Sequence, residues 1–267
     1  MLKFAEIREI FEKYGVDLVG AIPFEKVEEH LLNTRNRARI VQNSKSVIIA
    51  AFCYNVGQKP INMAKYNAVR DYHLVINSIS QKVCDEILKQ NSEVNFAFFG
   101  AASPIPEVQA ATILGLGVRG KNNLLITKKY GSYVNIGSIV LDCELDEYSD
   151  LTEPKSCKEC GKCFAACPTN AISQGGFKRD LCISNIAYKK HLDDDDIKVL
   201  KAQKSVLGCD LCQDCCPMNE GINLTKIKEF YEDVREIYLP NEDPTGRTYE
   251  YFAKAQIERN YKILSED

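Results

Sequence analysis

The sequence predicts an α+β chain: a mixed α/β domain over residues 1–150, a short cysteine-rich domain over 151–220 and a helical extension over 221–267. Three observations predict it. Helix-period and strand-period signals alternate through the first 150 residues. A polar stretch, Glu147–Pro154, ends in proline and suits a boundary. Nine of the 12 cysteines then fall within the 60 residues from Cys157 to Cys216.

Each element follows from its pattern. Phe4, Ile7, Phe11 and Tyr14 share one helical face, and Gly15 suits the stop. Ser46–Tyr54 (SVIIAAFCY) reads as a buried strand. Ile76, Ile79, Val83 and Ile87 make a second amphipathic helix, and Val94–Phe99 another strand. Pro106–Leu114 is helix-like and leads into a glycine-rich turn, Gly115–Gly120. Leu124–Thr127 and Ser132–Asp142 read as strands, paired as a hairpin about Tyr130–Gly131. The four acids Asp193–Asp196 read as a solvated helix start. Leu224, Ile227, Phe230, Val234 and Ile237 form one helical stripe, and the tail from Asn241 adds a last helix.

The composition is that of an ordinary globular chain, with 45% hydrophobic and 27% charged residues. A net charge of −3 gives no global basic field for a nucleic-acid backbone. No apolar run approaches a membrane span, and the N-terminus is amphipathic rather than a signal peptide, so the expected location is cytoplasmic, with no membrane partner. In that compartment thiols stay reduced, and clustered cysteines argue for metal rather than disulfides.

Cys157, Cys160, Cys163 and Cys167 are spaced C-x2-C-x2-C-x3-C, with Pro168 next. This is the bacterial ferredoxin run. Three thiolates on one tight loop reach three corners of a four-iron cubane, and the fourth points away to a second cluster. The second group is Cys209, Cys212, Cys215 and Cys216, followed by Pro217, and Cys182 supplies the missing ligand. The expected assignment is crossed: Cys157, Cys160, Cys163 and Cys216 on cluster one, and Cys167, Cys182, Cys209 and Cys212 on cluster two. Cys215 is the alternative to Cys216. Paired C-x2-C motifs also make zinc sites, but zinc does not need three cysteines at x2 steps closed by x3-Cys-Pro. Cys53, Cys84 and Cys143 sit in strand or helix patterns and read as buried, apolar-like residues. The fold is thus a mixed α/β N-terminal cofactor-binding domain followed by a ferredoxin-like double 4Fe-4S cluster domain. The N-terminal domain holds what receives the electrons.

Gly115-Leu-Gly117-Val-Arg-Gly120-Lys121-Asn122 fits two phosphate motifs imperfectly. A dinucleotide turn follows a strand and opens a helix; here the order is inverted. A phosphate loop needs a hydroxyl where Asn122 stands. A tight helix-to-strand turn is the plainer reading. Asp71 in Arg70-Asp71-Tyr72-His73 suits a helix cap, and His73 a packed histidine. His30 and His191 read as surface residues.

Together these motifs resemble the epoxyqueuosine reductase family, cobalamin-dependent enzymes with two four-iron clusters. The resemblance runs from about Phe4 to Asn219. It rests on Tyr66 with Asp71-Tyr72-His73; Pro104 with Glu107; the turn from Gly115 through Gly117 and Gly120 to Lys121 and Asn122; Gly131-Ser132 with Gly137 and Asp142; the ferredoxin run; Cys182-Ile183-Ser184; and Gly208-Cys209 through Cys216-Pro217. It implies a corrinoid in the N-terminal domain, near Tyr66, Asp71, His73, Gly115, Gly117, Gly120, Lys121 and Asn122, with electrons delivered to cobalt through the clusters. The family's ligand crossing agrees with the assignment above, and reductive dehalogenases are more distant relatives with the same logic. Three departures stand out. The family's proton-donating aspartate falls at Ala101, leaving the catalytic acid unknown, with Tyr66, Tyr72 or a bound water as candidates. The family's usual tryptophan is Val118. The family's C-terminal helical repeats, which help grip tRNA, have no counterpart in the roughly fifty residues after Asn219, which disfavours tRNA as substrate.

Three functions follow, in order of expectation. The first is a corrinoid-dependent reductase of a small-molecule or protein substrate, fed by a low-potential donor such as ferredoxin or flavodoxin. The second is a non-catalytic electron carrier or reductive activator for a partner protein. The third is epoxyqueuosine reduction on tRNA with a relocated proton donor.

Overall fold

The structure, a computed structural model, describes residues 1–250 and 253–266. Helix α1 (Phe4–Lys13) buries Phe4, Ile7 and Phe11, the face set by the sequence period. It ends at Gly15, where φ is +83° and an added Cβ would stand 2.4 Å from the Lys226 carbonyl oxygen. Strand β1 (Val19–Pro23), not anticipated from the sequence, leads into the short helix α2 (Glu25–Glu28).

Strand β2 (Ser46–Cys53) is buried at every position. The long helix α3 (Tyr72–Gln90) buries Ile76, Ile79, Val83 and Ile87, as its period requires. Then come β3 (Phe96–Phe99), α4 (Glu107–Ile113), the two-residue strands β4 (Val118–Arg119) and β5 (Leu125–Ile126), and β6 (Val134–Leu141). The main sheet has the order β1-β2-β6-β3 and is antiparallel throughout, with Ile49 opposite Ser138 and Phe99 opposite the same serine. On β2, Ile48, Ala50 and Phe52 face the core under α1 and α3, whereas Val47, Ile49 and Ala51 face the core under α4. A strand covered on both faces has no polar side to show, which is why it reads as a continuous apolar run.

The expected hairpin about Tyr130–Gly131 is corrected. The turn is there, with Thr127 and Gly131 exchanging backbone hydrogen bonds. Its two arms separate, however: β5 pairs with β4, and β6 enters the main sheet between β2 and β3. The apolar face of β6 finds more burial there than a lone hairpin offers.

The cysteine-rich segment folds on short elements: α5 (Lys162–Ala166), the β7–β8 hairpin (Ile172–Ser173, Gly176–Phe177), α6 (Ile183–Ile186), α7 (Asp194–Gln203) and α8 (Leu211–Asp214). Helix α7 opens with a reciprocal capping box between Asp193 and Asp196. Three acids of that run are exposed, but Asp196 is buried and bonds the Lys189 ammonium at 2.7 Å.

The helical stripe expected from Leu224 to Ile237 is also corrected. Only Lys228–Tyr231 is helical, as one 3-10 turn. Ile227 and Phe230 are buried in the α1–α3 core, while Leu224, Val234 and Ile237 are exposed. The backbone serves neighbouring segments instead: Thr225 N donates to the Asn55 carbonyl and Arg235 N to that of Ala68. The last helix, α9 (Lys254–Ser265), packs Ile257 against Leu200, Val206 and Ile186 in a third core beneath the cysteine segment. Tyr251, Phe252 and Asp267 of the expected tail lie outside the described residues. Among the described residues no helix is long and apolar enough to cross a membrane.

Candidate iron–sulfur and cofactor site

The ferredoxin run is tied to the α/β domain at its first residue. Cys157 N donates to the Arg119 carbonyl on β4, and Arg119 N to that of Lys155. Glu159 and Gly161 then take left-handed φ values of 52° and 73°, folding the run into a tight loop. Cys163 lies on α5, and Cys167 follows that helix in extended conformation, one turn on. Helix α5 packs on α8, which carries Cys212. Cys209 follows Gly208, whose φ is +78° and where a Cβ would stand 2.5 Å from the Ala64 Cβ. Cys182 caps α6.

These turns gather the thiols around two cavities. Cys167, Cys182, Cys209 and Cys212 border one of about 280 Å³. Cys157, Cys160, Cys163 and Cys216, with Cys212, border the other. The Cys215 thiol faces the Cys212 carbonyl at 3.6 Å and borders neither. Among the described residues no three His, Cys, Asp or Glu side chains converge on a single-ion position. The thiols stand around space instead, as a multi-iron cube with corner ligands requires. Burial, with added repulsion from Asp210 and the Cys182 and Cys167 sulfurs, pushes the Cys209 thiol up to about 12. Burial likewise raises Cys212, against a hydrogen bond from Asn122. Thiols so placed lose their protons when iron binds. Burial also works on Cys167, but hydrogen bonds from Thr169 and from backbone amides at Thr169, Ala171 and Ile172 outweigh it and lower the thiol.

The 280 Å³ cavity shares Tyr66 and Asn135 with a more open one of about 510 Å³. That space is lined also by Tyr72, His73, Arg179, Tyr188 and Thr248. Burial raises the Tyr66 and Tyr72 hydroxyls, which stay protonated at neutral pH. Tyr72 stacks on His73 at 4.0 Å and meets Tyr66 edge-on at 6.2 Å. Asp71 caps α3 through the His73 amide at 2.9 Å, and the same carboxylate oxygen stands 2.7 Å from His73 Nδ1. The Asn135 side-chain nitrogen is buried with no hydrogen-bond partner among the described residues.

The residues named from sequence separate into three places. Tyr66 and His73 line the 510 Å³ cavity, with Asp71 behind His73. Asn122 faces both cysteine cavities, and Lys121 lines that of the ferredoxin loop and pairs with Glu159 at 3.0 Å. Gly115, Gly117 and Gly120 border none of these cavities. Gly115 takes the left-handed φ of +69° that ends α4, whereas Gly117 and Gly120 are packing positions: a Cβ on Gly117 would stand 2.7 Å from the Ile126 carbonyl. Ala101 sits in the β3–α4 loop, its carbonyl accepting from Asn36 at 3.1 Å, and Ala102 is left-handed at φ 47°. Six residues downstream, Glu107 opens α4 and accepts a hydrogen bond of 2.7 Å from Ser138, itself 3.0 Å from Ser103. Burial, against those serine hydrogen bonds, pushes the Glu107 carboxyl up to about 8. Its charge is felt at Tyr72. Sequence reasoning gave Glu107 no role and passed over Asn135, Arg179, Tyr188 and Thr248, single polar residues without local pattern.

Comparison with known proteins places this geometry. Residues 156–219 match the 4Fe-4S double cluster binding domain. The epoxyqueuosine reductase of Cyclobacterium marinum is 31% identical over 232 residues, covering 84% of this chain and 72% of that protein. That of Leadbetterella byssophila is 29% identical over 228 residues, covering 83% and 74%. Among solved structures, the epoxyqueuosine reductase from Streptococcus thermophilus superposes with a TM-score of 0.76 at 21% identity, over 97% of this chain and 80% of that one. The catabolic reductive dehalogenase NpRdhA shares the fold at a TM-score of 0.52 and 15% identity, over 98% of this chain and 35% of that one. With its double-cluster cysteine segment beside an α/β domain of matching architecture, the chain belongs to the epoxyqueuosine reductase family of iron–sulfur oxidoreductases.

Proposed function

We propose that this chain is a corrinoid-dependent reductase in which the cluster ligands are crossed: Cys157, Cys160, Cys163 and Cys216 on one cube, and Cys167, Cys182, Cys209 and Cys212 on the other. The observation that carries this reading is the contiguity of three spaces. The loop cavity and the 280 Å³ cavity share Cys212, and the latter shares Tyr66 and Asn135 with the 510 Å³ cavity. Electrons taken up at the first cube thus have a short path past Cys212 to the second, and from there to the edge of the 510 Å³ space.

A corrinoid fits that space on two counts. Asn135 holds a buried amide nitrogen that lacks a partner among the described residues, a donor for one of the ring's amide side chains. Tyr66, Tyr72 and Tyr188 give the flat, apolar walls that a large macrocycle needs, with hydroxyls as donors. Bound there, the cofactor supplies a strongly reducing, nucleophilic metal centre, while the protein orients it and excludes competing reactions. His73 is held in place by Asp71 at the rim, and Arg179 brings positive charge to the same wall.

Proton supply differs from that of the Bacillus subtilis relative, which was solved with its aspartate catalytic loop swung out of the active site. Here the corresponding loop carries Ala101, and the acid with a proton to give at neutral pH is Glu107. Tyr72 feels the charge of Glu107 and lines the cavity, and is the group that would pass the proton on. Epoxyqueuosine in tRNA is the substrate to test first, because the relatives carry its name and one solved relative holds a tRNA stem loop bearing it.

The test begins with anaerobic purification. About eight irons with matching sulfide per chain are expected for two cubes. Added cob(II)alamin should bind and change its absorption spectrum, and Asn135→Leu should weaken that binding. Full clusters with no cobalamin binding would end the corrinoid reading and leave the cluster assignment standing. Conversion of epoxyqueuosine in a tRNA stem loop, or its absence in cobalamin-loaded protein, then decides the substrate.

A further inference from the structure

We propose that the surface around Cys160 is the port through which electrons enter, and that it docks a small acidic electron-carrier protein against Lys155, Lys158 and Lys162. The inference rests on the two-cluster reading above and adds a surface and a partner chemistry to it.

Exposure sets the direction of flow. Of the nine clustered cysteines, Cys160 is exposed and the others are partly covered. The cube held by its loop therefore lies nearest solvent. The other four thiols border the cavity that runs inward to Tyr66 and Asn135. An outside donor reaches the Cys160 loop first, and one turn of α5 separates Cys163 there from Cys167 on the inner side. Electron transfer between proteins falls steeply with distance, so the exposed cube is the one a carrier can reach.

Charge sets the partner. The chain as a whole carries −3. Against that background, Lys121, Lys158 and Lys162 line the loop cavity with Glu159 as the only acid there among the described residues. Lys155, Lys158 and Lys162 are all exposed. A local positive field on an acidic molecule steers an acidic partner to that spot and turns it there. A second basic hollow, of about 330 Å³, reaches Cys209 from outside with Lys59, Lys65 and Lys204. There, however, Asp210 and Asp214 line the same wall, and Lys65 is paired with Asp214. The net field is weaker, and that hollow is the control.

The transfer itself is one electron. The anionic flavodoxin hydroquinone gives up one electron to become its neutral semiquinone, with no proton lost, and the outer cube goes from the 2+ to the 1+ state.

The experiment uses reconstituted holoprotein whose iron and acid-labile sulfide have been assayed first, and an acidic flavodoxin as probe. Binding of oxidised flavodoxin is measured by calorimetry, and reduction by its hydroquinone by stopped flow. The double variant Lys158→Glu/Lys162→Glu should weaken binding and slow the second-order rate about tenfold or more at low salt, with the difference shrinking as salt rises. The charge-neutral Lys158→Gln/Lys162→Gln should fall in between. Lys59→Glu/Lys204→Glu should match the parent. Iron and sulfide equal to the parent's in each variant separate a lost port from lost clusters. The proposal is overturned if the Lys158/Lys162 variants, with full clusters, bind and react like the parent, or if the Lys59/Lys204 variant carries the loss. It is equally overturned if Lys158→Glu/Lys162→Glu loses affinity for a tRNA stem loop but not for flavodoxin. Absence of sulfide from the parent would instead remove the two-cluster reading beneath it.

Discussion

Glu107 shows how one residue ties stability to chemistry. Its carboxyl is raised from 4.5 to about 8, mainly by burial, so the folded protein binds a proton that the unfolded chain releases near pH 4.5. The linked stability is fully present below pH 4.5 and is lost as pH rises through about 8. Denaturant midpoints measured from pH 5 to 9 should therefore fall more steeply for the parent than for Glu107→Gln, whose amide cannot ionise. Equal slopes would show that Glu107 is ionised in the folded protein. A restored acid at Ala101→Asp should raise any activity lost in Glu107→Gln, as expected if the two positions serve the same proton. Sequence reading found Asp71, Tyr66 and His73 because each lies in a motif. It marked Glu107 beside Pro104 but gave it no role, because the raised carboxyl depends on Ser103 and Ser138, and Ser138 comes from a strand that begins 27 residues later.

At the scale of elements, the wall of the large cavity depends on how α3 starts and how closely β6 approaches it. Asp71 caps α3 and also holds His73. Asp71→Ala should cost about 1 kcal/mol for the cap and free the imidazole to turn, seen as a lowered urea midpoint and a shifted His73 resonance. Gly137 on β6 has no room for a side chain: a Cβ would stand 2.8 Å from Ile76 Cγ2 and 2.9 Å from the Phe52 ring. Gly137→Ala should therefore destabilise by about 1–3 kcal/mol through overpacking, and a variant as stable as the parent would show that α3 has slack to retreat. Helix α3 and strand β2 were legible because their apolar periods are long. Strand β5 was read within Leu124–Thr127, but its two-residue partner β4 was not, since it lies in the glycine turn and has no period of its own.

On the scale of the whole molecule, the cysteine segment is held between two bodies. The Arg119–Cys157 backbone bonds join it to the α/β domain, and the C-terminal segment closes it from the other side. Asn260 on α9 is fully buried and donates to the carbonyls of Ala187 and Val206. Arg247, 1% exposed, ties the same segment to Asp233 and the Ala68 carbonyl. Asn260→Ala leaves the Val206 carbonyl buried and unmet, at about 1–3 kcal/mol before relaxation, and leaves the Ala187 carbonyl only its 3.4 Å bond from Arg259, so it should lower the melting temperature. Stripping iron with a chelator should lower it further, because clusters bind the folded thiol arrangement and not the unfolded chain. A melting temperature unchanged by iron removal would mean that the cysteine segment stands without its clusters.

The amino-acid order alone determined the chemistry of the cysteine segment, the α+β class and the core elements α1, α3 and β2. Those depend on spacing and period, which are local and survive in one dimension. Only the tertiary structure decided that β6 lies between β2 and β3, that the stripe from Leu224 to Ile237 spends its backbone on neighbours rather than on a helix, and that Asn135, Arg179, Tyr188 and Thr248 meet around one cavity. Burial and hydrogen-bond partners arise between segments far apart in the chain, and no local pattern records which segments will meet.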